Sequence, residues 1–466
     1  MWKKLLITGC VTFSLLSGGT LSAQPSCEIK EEVTSEQLDR TQKELVAMMK
    51  ELKNDSYFQT ELDKAAVQSS LSKRMAAYKD LTVRLLSVLE IQAELEWMKP
   101  EAIQEALGIM KKSSGFDAVL ADKRFGELKS LLAGGFDGIY TGDAQAIDKA
   151  NETLTLKRKL MLMSPDVNVD KMLTVKFDLG ERANFVGAGS LGIQPNNWSN
   201  LSSASRKNFK AQLVELSGLQ SGELSEKVLY KPAVDGSSVT DLVLNWDGKR
   251  LMFTALDTTR RWQVHELDIN NGEAKQVTNI PEPDLEFFDG TYLPDGRMLA
   301  ISNIGYQGVP CVNGSDAVGN MVLYDPSNGY LRRLTFDQDA NWHPVVMANG
   351  KVMYVRWEYT DLTHYFSRIV MHMNPDGTEQ KSLYGSGSMF PNSIFDVQPL
   401  PKHTNRFVGV ISGHHGVARS GRLMIFDPAK SRKEEKGMIQ ELPFRGRPII
   451  PEVKDELVNG VWPQFI

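Results

Sequence analysis

Asn245-Trp246-Asp247-Gly248-Lys249-Arg250-Leu251-Met252-Phe253-Thr254-Ala255 is the stretch whose reading decides the fold. A polar Asp-Gly turn leads straight into an apolar strand. The same order returns at Asp295-Gly296-Arg297 before Met298 to Ser302, and at Asn349-Gly350-Lys351 before Val352 to Arg356, with turns 48 and 54 residues apart. A second series interleaves with the first. Its turns are Asn271-Gly272, Asn328-Gly329 and Asp376-Gly377, spaced by 57 and 48. A fourth copy has Arg406 to Ser412 as its inner strand and Leu423 to Pro428 opening its outer hairpin. Asp-Gly and Asn-Gly supply the positive φ that a tight hairpin needs, so each repeat reads as hairpin plus hairpin. Repeats of this length made of two hairpins predict four-stranded blades of a β-propeller. One blade cannot cover both of its faces, so blades must stack on each other.

Gln212 to Tyr230 reads as the outer hairpin of a preceding blade, for about five in all. Near the end, Trp462-Pro463-Gln464-Phe465 resembles Trp342-His343-Pro344-Val345, so the chain is expected to stop where another blade begins. A six- or seven-bladed ring then needs further strands, unless Met172 to Phe185 supplies them in a velcro-like closure. The sequence is accordingly expected to be a piece of a longer protein.

Upstream the period changes. From about Ser35 to Met163 apolar residues recur at helical spacing: Leu38, Leu45 and Leu52; Leu71, Met75, Tyr78, Leu85 and Leu89; Ile147, Ala150, Leu154 and Met161. Pro100 is placed at a helix start and Gly134-Gly135 at a break. The reading is a bundle of four to six helices occupying residues 24–165, followed by the propeller over 166–466. No histidine occurs in the helical half, which removes the commonest general base and metal ligand and favours a packing or docking role.

The totals agree with a multidomain globular chain. At 466 residues and 52.0 kDa, with 41% hydrophobic and 24% charged residues, the chain is neither a disordered polar polymer nor a multi-span membrane protein. A net charge of −5 gives no global attraction to nucleic acid. Lys3-Lys4, the apolar run Leu5 to Leu16 and the small residues ending at Ala23 form a secretory signal peptide over residues 1–23. The run is too short to span a bilayer, and no stop-transfer segment follows it. A periplasmic or extracellular location is expected. Ile7-Thr8-Gly9-Cys10 is the competing lipoprotein box. After cleavage only Cys27 and Cys311 remain, either paired with each other or as two free thiols. No Cys-x-x-Cys-His occurs, so covalent c-type haem attachment is excluded.

The run from about residue 190 to Ile466, most clearly from Asp241, resembles the middle domain of the hydrazine synthase alpha subunit and the secreted bacterial proteins that share it. The residues that carry the resemblance are YQGVPCVNG (Tyr306 to Gly314), LTFDQDANWHP (Leu334 to Pro344), RWEYTDLTHYFSR (Arg356 to Arg368), MNPDGTEQ (Met373 to Gln380), SGHHGVARSG (Ser412 to Gly421) and LMIFDPAK (Leu423 to Lys430). LGIQPNNWSN (Leu191 to Asn200) resembles the family's lead-in. The resemblance implies a six- or seven-bladed propeller of the TolB-like and WD-repeat class, possessing the scaffold without hydrazine synthase activity.

All seven histidines lie at or after residue 265. His414-His415, flanked by glycines, converge in a turn in one reading and bind a transition metal or haem iron together with His343, His364 or Cys311. In the other reading these side chains only satisfy loop carbonyls, and Cys311 is an inert buried thiol. Arg356, Glu358, His364 and Arg368 form a second candidate, a ligand-binding channel mouth, or else an ion-paired structural cluster in which Trp357 and Tyr359 face the other way. Asp337, Asp339 and Asp376 read as blade-turn residues, with the DQD segment a remote calcium candidate. Gly187 to Gly192 fits G-x-G-x-x-G but leads into no helix, so it offers no pyrophosphate site. The expected function is a binding or protein-interaction scaffold holding a protein partner or a small ligand on the propeller face. Its partners include no nucleic acid, and the mature chain has no transmembrane span. The alternative is a metal- or haem-dependent oxidoreductase or electron-transfer component.

Overall fold

The computed structural model of the chain describes residues 33–167, 169–178, 199–207, 209–221, 223–310, 313–358, 368–388, 391, 393–413, 419 and 421–442. The chain divides into two compact units. Of the described residues, the first takes in 33–172 together with Leu216–Glu226, and the second holds Leu173–Glu215 and 227–442.

The first unit has six α-helices among the described residues: α1 (Ser35–Met49), α2 (Ser56–Ala66), α3 (Leu71–Trp97), α4 (Pro100–Met110), α5 (Ala118–Ala133) and α6 (Ala144–Met161). Their starts follow from the sequence. Thr34 and Gln37 exchange side-chain and main-chain hydrogen bonds ahead of α1 as a capping box, and Ser70, Asp117 and Asp143 cap α3, α5 and α6. Pro100 opens α4, where its missing N–H leaves nothing unsatisfied, and Gly134 follows the end of α5. Leu38, Leu45, Phe58, Leu62, Met75, Tyr78 and Leu85 are buried where α1 and α2 pack on α3. Leu107, Phe125, Leu128 and Leu160 form a second cluster across α4, α5 and α6. Leu71 departs from its expected place in the stripe. It is the first residue of α3, directly after its cap, and is exposed.

After the helices the chain forms a three-stranded sheet of β1 (Lys171–Asp178), β2 (Lys210–Ser217) and β3 (Ser225–Tyr230) in that order. Four antiparallel four-stranded meanders follow. The first is β4 (Val239–Leu244), β5 (Arg250–Leu256), β6 (Trp262–Asp268) and β7 (Ala274–Gln276). The second is β8 (Phe287–Tyr292), β9 (Met298–Ser302), β10 (Asn320–Asp325) and β11 (Tyr330–Arg333). The third is β12 (Asn341–Val346), β13 (Val352–Trp357), β14 (Arg368–Met373) and β15 (Lys381–Tyr384). The fourth is β16 (Ser393–Pro399), β17 (Phe407–Ser412), β18 (Arg422–Phe426) and β19 (Met438–Leu442). The last two are joined by one parallel pair, Arg368 with Ser393. Gly248, Gly272, Gly296, Gly329, Gly350 and Gly377, the glycines of both predicted turn series, all have positive φ.

The expected alternation along a strand is seen in β11 and not in the inner strands. In β11 residues alternate between exposed and half-buried, whereas all of β9 and all but the first residue of β5 are buried. Sheets stacked on both sides cover both faces of the inner strands, and such strands read as continuous apolar runs. First strands lie next to first strands in chain order: β4 packs on β8, β8 on β12 and β12 on β16.

Candidate functional site

Each innermost strand carries the same irregularity. Register shifts fall between Thr240 and Val243 in β4, Phe288 and Thr291 in β8, Trp342 and Val345 in β12, and Phe395 and Gln398 in β16. Within each bulge one polar residue takes a left-handed backbone: Asp241 (φ 56°), Asp289 (φ 54°), His343 (φ 52°) and Asp396 (φ 50°). Aspartate tolerates this region better than most residues, and bulges re-aim side chains at sheet edges. The four polar residues line one cavity of about 230 Å³, together with Asn200, Gln398 and Arg419.

Main-chain to side-chain bonds run around this series. The Asp289 N–H donates to Asp241 Oδ2 at 2.8 Å, and the His343 N–H donates to Asp289 Oδ2 at 2.5 Å. The imidazole of His343 lies between two carboxylates, with Nδ1 3.6 Å from Asp289 Oδ1 and 3.4 Å from Asp396 Oδ1. Burial raises the Asp289 carboxyl above its ordinary range, the Asp241 charge adds to this, and His343 and Arg419 pull it back. Arg419 is buried. Its guanidinium lies over the rings of Phe395 and Trp342, 4.9 and 5.0 Å from their centroids, and Nη2 donates to the Ser199 carbonyl. Burial lowers Arg419 to about 10, against the opposing pull of Asp396, Asp289 and Asp241.

Of the residues singled out in the sequence, His343 belongs to this cavity. Cys311, His364, His414 and His415 lie outside the described residues, as do the signal segment with its Ala23 cleavage site, Cys10, Cys27, Gly187 to Gly192, Tyr359 and Trp462 to Phe465. Among the described residues no group of three or more His, Cys, Asp and Glu is placed to hold a metal ion. His265 is buried, stacked on Phe253 at 5.4 Å with Nδ1 3.0 Å from the Gln263 carbonyl, and burial lowers its pKa.

Arg356, Glu358 and Arg368 fall in a different place. Arg356 Nη2 lies 2.8 Å from Glu358 Oε2, and its Nε lies 3.1 Å from Asp337 Oδ1. Arg368 is fully buried, 4.4 Å over the Trp357 ring, and its Nη1 donates to Ser393 Oγ at 3.2 Å. It thus sits at the pair that joins β14 to β16. Asp337 and Asp339 are not ordinary turn residues. Asp337 takes part in the Arg356 ion pair and accepts from Asn341 Nδ2 at 3.0 Å. Asp339 is buried beside it with its carboxyl pushed up to about 6, by burial and then by the charges of Glu358 and Asp337. Asp376 does hold a turn, accepting from Thr378.

Sequence reasoning missed Asp241, Asp289, Asp396 and Arg419. For two of them the signal was present. Asp241, Asp289 and His343 each stand seven residues before a turn glycine, Gly248, Gly296 and Gly350, so aligning the copies on their glycines brings them into register. Asp396 lacks that marker because Pro401-Lys402-His403-Thr404 replaces the glycine turn, and nothing local marks Arg419.

No family model matches the chain, and no curated protein matches it. Among solved structures the chain is similar to hydrazine synthase of Kuenenia stuttgartiensis, with 14% identity over 56% of this chain and 37% of that one, TM-score 0.42. It is similar to TolB of Acinetobacter baumannii at 18% identity over 47% of this chain and 46% of that one, TM-score 0.32. To puromycin hydrolase the identity is 13%, over 53% and 35% of the two chains, TM-score 0.34. All three are β-propeller proteins, and the chain spans less than half the length of each. At these TM-scores the likeness carries no argument about the site. No described helix is long and apolar enough to cross a membrane.

Proposed function

We propose that this chain is a secreted, periplasmic or extracellular β-propeller protein that acts by binding, with its ligand site where the bulged inner strands converge. One observation carries the reading. Four successive sheets place a polar residue in the left-handed region at the same register, and all four side chains line one cavity. Bulges re-aim side chains, and a cavity on which a few polar groups converge is where proteins commonly seat ligands. The helical unit, free of histidine, serves packing or docking in this reading.

The competing reading, a metal- or haem-dependent redox component, would use His414, His415 and Cys311 with His343. Metal analysis and an absorption spectrum of the purified, processed chain separate the two. A colourless, metal-free, stably folded protein is expected. A stoichiometric transition metal or a Soret band overturns the binding-scaffold reading. N-terminal sequencing of the secreted product is expected to start at Gln24, and retention of the chain in the cytoplasm overturns the location.

A further inference from the structure

Residues 199–206 lie in no strand, and Leu201–Ser203 form one 3-10 turn. The turn is bonded within itself. Asn200 Oδ1 accepts the Ser202 N–H at 2.9 Å, the Asn200 carbonyl accepts the Ser203 N–H at 3.1 Å, and the Leu201 carbonyl accepts the Ala204 N–H at 2.9 Å. Side chains fasten the segment to the sheets. Ser199 Oγ lies 2.5 Å from Asp316 Oδ2, and Asn200 Nδ2 donates to the Ala317 carbonyl at 2.6 Å, both in the loop between β9 and β10. Arg419, between β17 and β18, donates to the Ser199 carbonyl, and Arg260, between β5 and β6, donates to the Arg206 carbonyl. Arg206 Nη2 pairs with Glu286, directly before β8, at 2.8 Å to Oε1 and 3.0 Å to Oε2. In an antiparallel meander the loop between the second and third strands and the entry to the first lie at the same end. The segment therefore spans that end of three meanders.

Its two ends differ. Ser199 and Asn200 are 5% and 1% exposed, and Leu201 joins the apolar cluster that holds Leu256, Trp262, Phe288 and Ile301. At the other end the Arg206 side chain is 39% exposed and meets a carboxylate that is 5% exposed. Burial pushes the Glu286 carboxyl up and Asp257 adds to this, while Arg206 is the largest opposing pull, ahead of the Trp262 N–H and Arg261. Asn200 and Leu201 also line the cavity between the bulged strands, so the segment is part of its wall. A stretch bonded within itself and fastened from outside by side chains is the kind that opens as a unit, well below the free energy of global unfolding.

We propose that residues 199–206 form a latched strap, hinged at Ser199 and Asn200 and fastened by the Arg206–Glu286 ion pair, whose release opens the wall of the cavity. The buried end stays anchored in the loop between β9 and β10. The half-exposed end lifts when the pair breaks, and water then reaches the Asp289 and His343 N–H groups that bond to carboxylates at the bulges. What the opening serves rests on the binding reading above: a ligand enters as the strap lifts.

Hydrogen–deuterium exchange of the full processed chain, read at single residues by mass spectrometry, tests this without a ligand. In the parent protein the amides of Ser202, Ser203 and Ala204 are expected to exchange at least about tenfold faster than those of Val322 and Leu323 on β10. Arg206→Ala and Glu286→Gln are each expected to speed the strap by about tenfold more, and the N–H groups of Asp289 and His343 with it, while Val322 and Leu323 keep their parental rates. If Arg206→Ala does not fold, Glu286→Gln carries the test. Strap amides that exchange only in step with Val322 and Leu323 overturn the proposal, because the segment is then a fixed wall. Unchanged strap rates in the variants overturn the latch. A faster strap with unchanged Asp289 and His343 amides overturns the opening of the cavity, and equal acceleration of β10 makes the ion pair a support of the whole sheet, which overturns the latch as well. None of these outcomes touches the binding reading, which falls only to the metal and absorption measurements.

Discussion

Asp289 and His343 occupy the same bulge position in successive sheets, both with left-handed backbones, and the carboxylate of the first accepts the main-chain N–H of the second at 2.5 Å. The bond joins β8 to β12 across a sheet boundary, at a place where no strand ladder can. It ties the cavity's geometry to the stacking of the sheets.

Asp289→Ala therefore removes an acceptor from a part-buried main-chain donor and places a residue less tolerant of the left-handed region there. The two effects together are expected to cost about 2–3 kcal/mol. Asp289→Asn keeps an acceptor and tolerates the backbone, and should cost about 1 kcal/mol or less. Urea unfolding of both variants checks the order. Equal losses would show that the hydrogen bond contributes nothing beyond the charge.

In the last sheet, Arg422 on β18 and Glu441 on β19 form two parallel contacts, Nε to Oε1 and Nη2 to Oε2, both at 3.0 Å, and both side chains are largely buried. Fork-to-fork pairing of this kind is specific as well as strong. Glu441→Ala leaves a buried guanidinium unpaired and is expected to cost about 3 kcal/mol, whereas Arg422→Met with Glu441→Leu should restore most of it. Thermal unfolding of the single and double variants is the measurement. A single variant as stable as the parent would detach β19 from this sheet.

These pairs also show how far the sequence could be read. The turns were legible because Asp-Gly and Asn-Gly announce positive φ locally, and the strands after them follow within a residue or two: Leu251 to Ala255 was expected and Arg250–Leu256 is observed. Helix starts were legible at Pro100 for the same local reason. The cavity was not. Asp241 and Asp289 look like isolated surface acids until the copies are aligned, and Arg419 reaches Trp342 and Ser199 only through tertiary folding. Arg356 and Glu358 were expected on one face and do pair, because alternation along a strand is a local rule. The part played by Asp337 in that pair depends on a neighbouring segment and had no local signal.

In the helical unit, Gln92 on α3 ties down the chain beyond the end of α1. Its Oε1 accepts the Lys53 N–H and its Nε2 donates to the Glu51 carbonyl, both at 3.0 Å. Gln92→Leu keeps the volume and abandons two main-chain groups. A loss of about 2 kcal/mol is expected, from the usual penalty for unmade part-buried hydrogen bonds. Far-ultraviolet circular dichroism during urea unfolding reads it, and Gln92→Glu, which keeps one acceptor, should fall between the variant and the parent. A Leu variant at parental stability would mean that water replaces both bonds without loss.

Asp339 makes stability depend on pH in a direction opposite to that of most carboxylates. It is buried near Asp337, Glu358, Arg356 and Arg368, and its folded pKa of about 6 lies above the ordinary value of 3.8. Above pH 3.8 the unfolded chain releases this proton while the folded chain keeps it until about pH 6. Folding therefore binds the extra proton in that window, and stability falls as pH rises through it. A shift of two pKa units corresponds to about 3 kcal/mol, an upper bound because the neighbouring arginines respond to the new charge. Asp339→Asn takes away the titration and keeps a polar group of the same shape. It is expected to be more stable than the parent at pH 7, close to it at pH 4, and to lose the fall in between. Denaturant titrations at pH 4, 5, 6 and 7 on both proteins measure the difference directly. Parallel stability curves would mean that Asp339 ionises in the folded state as it does in the unfolded one, with Arg356 and Arg368 compensating its burial.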